Sequence, residues 1–146
     1  MKKMCVIILL FVLSLACGAA FAAEADPPDA EERAMLEAMR KEPPLNQKDI
    51  DIFIKLAPDI EKYENDEKAL AKLITDAGIP LQRFQYAGAK LGVGILMLMM
   101  PEVMTREKIL ESGETPEFMI PGDDELKLIE KNMDVIKALM QAQEQN

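Results

Sequence analysis

Ten consecutive residues without a polar side chain, 91–100, decide most of what this chain can become. At about 1.5 Å of helical rise per residue they reach about 15 Å, half the thickness of a bilayer's hydrocarbon core. The segment is therefore one that the rest of the chain must bury. Only Val93 and Ile95 in it are β-branched, and the preceding residues 81–90 add Leu, Gln and Ala, so its composition favours helix over strand. One long central helix over 80–100 is expected, apolar on nearly all sides in its C-terminal half. Pro80 opens it and Pro101 ends it.

The other segments repeat the helical reading. Asn46 is a good N-cap, Asp49 three residues later answers its amide, and Leu45 with Ile50 forms a hydrophobic staple. From there Ile50, Phe53, Ile54, Ala57 and Ile60 recur at steps of three and four, with Ile52, Leu56 and Tyr63 as a second stripe. This gives a helix over 47–63 in which Pro58 forces a kink or a break. Asn65 or Asp66 caps a helix over 66–77 built on Ala69, Leu70, Leu73, Ile74 and Ala77, and Gly78 ends it in the left-handed region. The cluster Asp123-Asp124-Glu125 suits the positive end of a helix over 124–143, whose stripe is Leu126, Ile129, Met133, Ile136 and Met140. A short helix near 105–111 and a loop over 112–122 connect it to the central one. No segment alternates as a strand would. The fold class expected is all-α: a compact bundle of about four helices over 45–146, preceded by an acidic, loosely docked N-terminal helical arm over 23–44. The arm's stripe, Ala34, Met35, Ala38 and Met39, is thin.

The first 22 residues read as a signal peptide. Lys2 and Lys3 form a basic head, residues 4–15 are apolar apart from Ser14, and Ala20-Phe21-Ala22 supplies small side chains for cleavage after Ala22. Lipidation at Cys17 fits less well, because Ser14 stands where such signals usually carry leucine. The expected location is periplasmic or secreted, with membrane contact only through an uncleaved or lipidated leader. Export also strips the chain of chemistry, since both cysteines, Cys5 and Cys17, lie in the leader and the sequence has no histidine or tryptophan. Imidazole and thiol nucleophiles, most transition-metal sites and the usual axial haem ligands are thereby missing from residues 23–146. The net charge of −9, deepened by two when Lys2 and Lys3 depart, repels phosphate backbones, and no basic stripe counters it. Nucleic acid is not an expected partner, and no cofactor is expected.

Four sets of residues remain as candidates. Met97, Met99, Met100 and Met104 offer thioethers to Cu(I), although methionine also fills irregular core gaps. The 26 acidic residues allow a carboxylate pair for a hydrolase, with Glu102 the acid nearest an apolar run. Asp49 and Asp51 are better assigned to capping and solvent than to a cation. Phe118, Met119 and Ile120, apolar and adjacent between two prolines, form either a plug on the bundle or a contact patch. Gly88 and Gly92 share one face of the central helix and suit a close helix neighbour, from within the chain or from a second protein. Arg83 and Tyr86, with Gln82 and Gln85, suggest a structural ion pair, or the polar contacts of a small ligand if that helix lines a cavity. The function class expected is a non-enzymatic exported protein acting by protein contact, as an envelope accessory or chaperone-like factor. The alternatives are methionine-based Cu(I) or small apolar ligand binding, and a carboxylate-based hydrolase.

Overall fold

A computed structural model describes residues 30–63 and 66–144. The leader over 1–22, its two cysteines and the first residues of the arm lie outside them. Every regular element among the described residues is helical, with no strand, and they form a compact helical fold. Six α-helices follow one another: α1 (Ala30–Met39), α2 (Gln47–Ile60), α3 (Glu67–Asp76), α4 (Leu81–Met99), α5 (Arg106–Ser112) and α6 (Asp123–Glu144), with short 3₁₀ turns at Glu61–Tyr63 and Glu117–Met119. The count exceeds the four main helices read from the sequence, because the arm and the short connector are themselves helices that pack.

The start of α2 has the expected capping box. The Asn46 amide donates to Asp49 Oδ2 at 3.0 Å and the Asp49 amide donates to Asn46 Oδ1 at 3.3 Å. Pro58 does not split the element, which runs through it to Ile60. It stands two residues before the end of the helix and is exposed, and the chain tightens into the Glu61–Tyr63 turn three residues past it. Asp66 caps α3 by accepting from the Ala69 amide at 3.0 Å, while Asn65 lies outside the described residues. Gly78, at φ 85°, turns the chain after α3 as expected.

Helix α4 is the hub, and each of its faces meets a different neighbour. Ala87 and Leu91 pack with Leu45 and Ile50 and with Ile129, Met133 and Ile136 of α6, the main core. Phe84 packs into a second cluster with Ile52, Leu56 and Ile60 of α2 and Leu70 and Ile74 of α3, its ring stacked on Phe53 at 4.4 Å between centroids. Tyr86 and Ala89 meet Met39 and Met119, and Val93 meets Ile109 of α5 and Ile120. No helix among the described residues is long and apolar enough to cross a membrane.

One expectation is corrected here. The deeply buried part of α4 is its more polar section, residues 83–94, whereas residues 95–98 are half-buried and Met99 and Met100 are exposed. Apolar composition indicated that the end of this helix needs cover, and among the described residues it is only partly covered. The N-terminal arm packs through Met39, which is 0% exposed and sits in the cluster around Tyr86.

The close approach that calls for a glycine occurs at Gly94. A Cβ added there would collide with Ile129 Cδ1 of α6 and come within 3.2 Å of Pro121 Cγ. Gly94→Ala gains helix propensity of up to about 1 kcal/mol but overpacks the α4–α6 contact, a penalty of roughly 1–3 kcal/mol. We expect Gly94→Ala to lower stability in urea unfolding. Ile129→Val removes the colliding methyl, so the double variant should be more stable than the two single losses added together.

Candidate functional site

Arg83, Tyr86 and Lys90 project from one side of α4 at steps of three and four residues. They meet a stretch of chain that has an unusual hydrogen-bonding need. Pro43 and Pro44 between α1 and α2 have no amide hydrogens, so this linker joins no backbone ladder through its donors, and its carbonyls must find donors elsewhere. Arg83 supplies them. Its Nη1 donates to the Pro43 carbonyl at 2.5 Å and its Nη2 to the Pro44 carbonyl at 2.9 Å. The same guanidinium forms a two-point pair with Asp49, Nε reaching Oδ1 at 3.1 Å and Nη2 reaching Oδ2. Glu42 approaches Nη1 at 3.5 Å and accepts from Gln82 Nε2 at 2.8 Å.

Lys90, two turns further along, performs the second half of the task. Its ammonium lies 2.7 and 2.8 Å from the two oxygens of Glu125. Glu125 Oε1 also accepts from the Leu45 amide at 2.6 Å, and Oε2 from the Gly122 amide at 2.8 Å. Glu125 is thus the back-reaching carboxylate of a capping box on α6 and a clamp on the first amide after the diproline. The Tyr86 ring lies between the two cations, 5.3 Å from the Arg83 guanidinium carbon and 5.2 Å from the Lys90 nitrogen.

Asp49, Arg83, Lys90 and Glu125 are all buried, and among the described residues no buried side-chain nitrogen or oxygen lacks a partner. Burial pushes the Glu125 carboxyl up, but hydrogen bonds from Lys90, Gly122 and Leu45 outweigh it and hold the group below its ordinary value. Burial likewise works against the Arg83 charge, and the bonds and charge of Asp49, with Glu42 behind, raise its pKa on balance. Chemically this is a saturated site. Both buried carboxylates are committed to cations and amides, so the arrangement holds the linker and α2 against α4 and offers no free acid or base.

The residues singled out from the sequence divide as follows. Arg83 makes the ion pair anticipated for it, and Gln82 joins through Glu42. Asp49 does more than cap, because it is buried and paired with Arg83, while Asp51 is exposed and accepts from Gln47 at 2.8 Å. Lys90 and Glu125 were missed as a pair. The available signal was a lone lysine inside the small-residue run of residues 87–94, a position that demands a buried anion.

Met119 and Ile120 are 2% and 3% exposed and Phe118 is half-buried. As a contact patch they are thus corrected: the first two face inward and belong to the clusters around Tyr86 and Val93. Gly88 and Gly92 are both buried, and Gly92 lines the open cleft described below. The four methionines are split, Met97 and Met104 against Val93 and Ile109, and Met99 and Met100 in solvent. Glu102 is exposed, and its backbone carbonyl accepts from Lys108 at 2.7 Å. Among the described residues no three acids gather as a metal site would require.

Apolar surface appears instead where α4 ends. Met99, Met100, Val103 and Leu110 are exposed, Val103 at 61%. Beside them an open cleft of about 220 Å³ is lined by Val93, Leu96, Val103, Met104 and Ile109, with Lys108 and Glu114 among its polar walls. That volume is below the ~300 Å³ at which small-molecule sites begin, and suits one or two anchoring side chains. The chain matches no family model, no curated protein and no solved structure.

Lys90→Met leaves Glu125 buried beside two amides without its cation, a change of the kind that costs roughly 3–5 kcal/mol. We expect that loss in denaturant unfolding near neutral pH. The folded Glu125 pKa lies below its ordinary value of 4.5, so its stabilisation is complete above about that pH and fades as pH falls through the folded value. In the variant, acid neutralises the stranded charge. The gap between the two proteins should therefore narrow steadily below pH 4.5, and a constant gap would refute the assignment.

Proposed function

We propose that this is an exported protein without enzymatic activity, which works by binding another protein through the apolar corner where α4 meets α5. The observation that carries the reading is the exposed group Met99, Met100, Val103 and Leu110 beside the cleft. Four of the exposed large apolar side chains fall within residues 99–110, while Tyr63, Leu81 and Val135 are exposed elsewhere; each forgoes burial worth up to roughly 1.5–3 kcal/mol, a cost that a contact partner recovers. Sequence supports the rest of the proposal. The basic head, apolar run and Ala20-Phe21-Ala22 site direct the chain out of the cytoplasm as a cleaved protein of the periplasm or beyond, and residues 23–146 carry no thiol or imidazole. The acidic surface disfavours nucleic acid and leaves protein as the partner class, for an envelope accessory or chaperone-like role.

Capture from an envelope extract tests the reading. The processed protein, beginning at Ala23, should retain a specific protein that a Val103→Asp, Leu110→Asp chain loses by tenfold or more, with unchanged helical content. Both positions are exposed, so the substitutions should move stability by no more than about 0.5 kcal/mol. Equal recovery by the two chains, or none by either, would overturn the proposal.

A further inference from the structure

Sulfur among the described residues is all thioether, because both cysteines lie in the first 22 residues of the chain. The fold sorts these methionines by access. Met39, Met119 and Met133 are buried, at 0%, 2% and 7% exposed, and Met35, Met97, Met104 and Met140 are half-buried. Among the described residues only Met99 and Met100 stand in solvent, at 43% and 42%, side by side where α4 ends. An interior methionine adapts its flexible stem to an irregular gap, a role that a side chain in solvent does not have. What separates these two from the exposed Val103 and Leu110 is a lone pair on sulfur.

We propose that Met99 and Met100 form an oxidation site, at which a two-electron oxidant of the hydroperoxide class converts both thioethers to sulfoxides while the helices stay packed. In each event the sulfur lone pair attacks one peroxide oxygen, an S–O bond forms as the O–O bond breaks, and sulfur gives up two electrons. The proton of the transferred oxygen passes to the departing hydroxide, which leaves as water. A polar, chiral side chain then stands in place of a flexible apolar one. At the end of α4 this disturbs no packing, because neither side chain belongs to an apolar cluster of the core. The turn there is held by backbone, the Met100 amide donating to the Leu96 carbonyl and the Met100 carbonyl accepting from the Met104 amide, each at 2.8 Å. At Met97 and Met104 the new oxygen would meet Val93 and Ile109, apolar neighbours that offer it no donor. Oxidation of Met39, Met119 and Met133 has to await opening of the fold. The end of α4 thus changes polarity with the bundle intact. Any effect of that change on a bound protein rests on the function proposed above, whereas the chemistry at the two sulfurs does not.

Peptide mapping by tandem mass spectrometry, on the intact folded chain at intervals after hydrogen peroxide is added, tests the site. Met99 and Met100 should become sulfoxides on the order of tenfold faster than Met39, Met119 and Met133, with Met97 and Met104 between them. Helical content should be unchanged once both have reacted, and the product should elute earlier than the untreated chain from a phenyl column run under native conditions. A Met99→Leu, Met100→Leu chain should show no such shift at the same dose. In denaturant the methionines should react at similar rates, which makes the fold the source of the order. Equal rates in the folded chain, helix loss accompanying the first two sulfoxides, or an elution that does not move would each overturn the proposal. None of these measurements involves a partner, so a failed capture from envelope extract leaves their outcome unchanged.

Discussion

Two buried carboxylate–cation pairs determine how the first third of this chain meets the rest. A diproline linker is stiff and lacks amide hydrogens, so nothing in its backbone chooses a partner by donating. Arg83 and Glu125 resolve that deficit from opposite sides, one donating to the carbonyls of Pro43 and Pro44, the other accepting from the amide of Leu45. Each also has a second obligation, Arg83 to Asp49 in the cap of α2 and Glu125 to Gly122 at the start of α6. The starts of two core helices and the linker are thereby tied to one side of α4. Buried ion pairs of this kind contribute little net stability beyond an apolar substitute, because desolvation consumes most of the attraction. Their consequence here is register: with either cation displaced along α4, a buried carboxylate would be stranded.

Packing then follows from that register. Leu45, Ile50, Ala87, Leu91 and Ile129 meet in one cluster because the clamp sets the ends of α2 and α6 beside the same turns of α4. Gly94 allows α6 to approach where Ile129 would otherwise be pushed off. The aromatic pair Phe53–Phe84 bridges this core to the one beneath α3. Apolar and polar contacts thus specify the same arrangement, the agreement across levels expected of a sequence with one preferred fold.

Helix positions, caps and the all-α class were legible because they depend on local spacing and on residues close in sequence, such as Asn46 with Asp49 or Asp66 with Ala69. Two things were hidden. Glu125 satisfied a local rule, charge at a helix start, and that sufficient explanation concealed a partner 35 residues away. The length of residues 91–100 implied that they were the deepest part of α4, but burial is set by how many neighbours reach a segment. The crossing elements reach residues 83–94, where small and paired side chains let them come close. Pro58 misled for a related reason, since Ile60 just beyond it packs into the cluster around Phe84, a contact that periodicity alone does not reveal.

The polar and apolar ends of α4 therefore have opposite characters. Around Arg83 and Lys90 each charge is met and each carbonyl answered, and the surface there is that of a finished interior. Around Met99 and Val103 the apolar run is left exposed among the described residues, where α5 is only seven residues and Pro101 follows directly on the end of α4. A longer α5 or a polar residue at Met100 or Val103 would have closed this end cheaply, as the chain does elsewhere with Ile109 against Val93. Among the described residues the cleft beside Leu96 and Met104 therefore stays open.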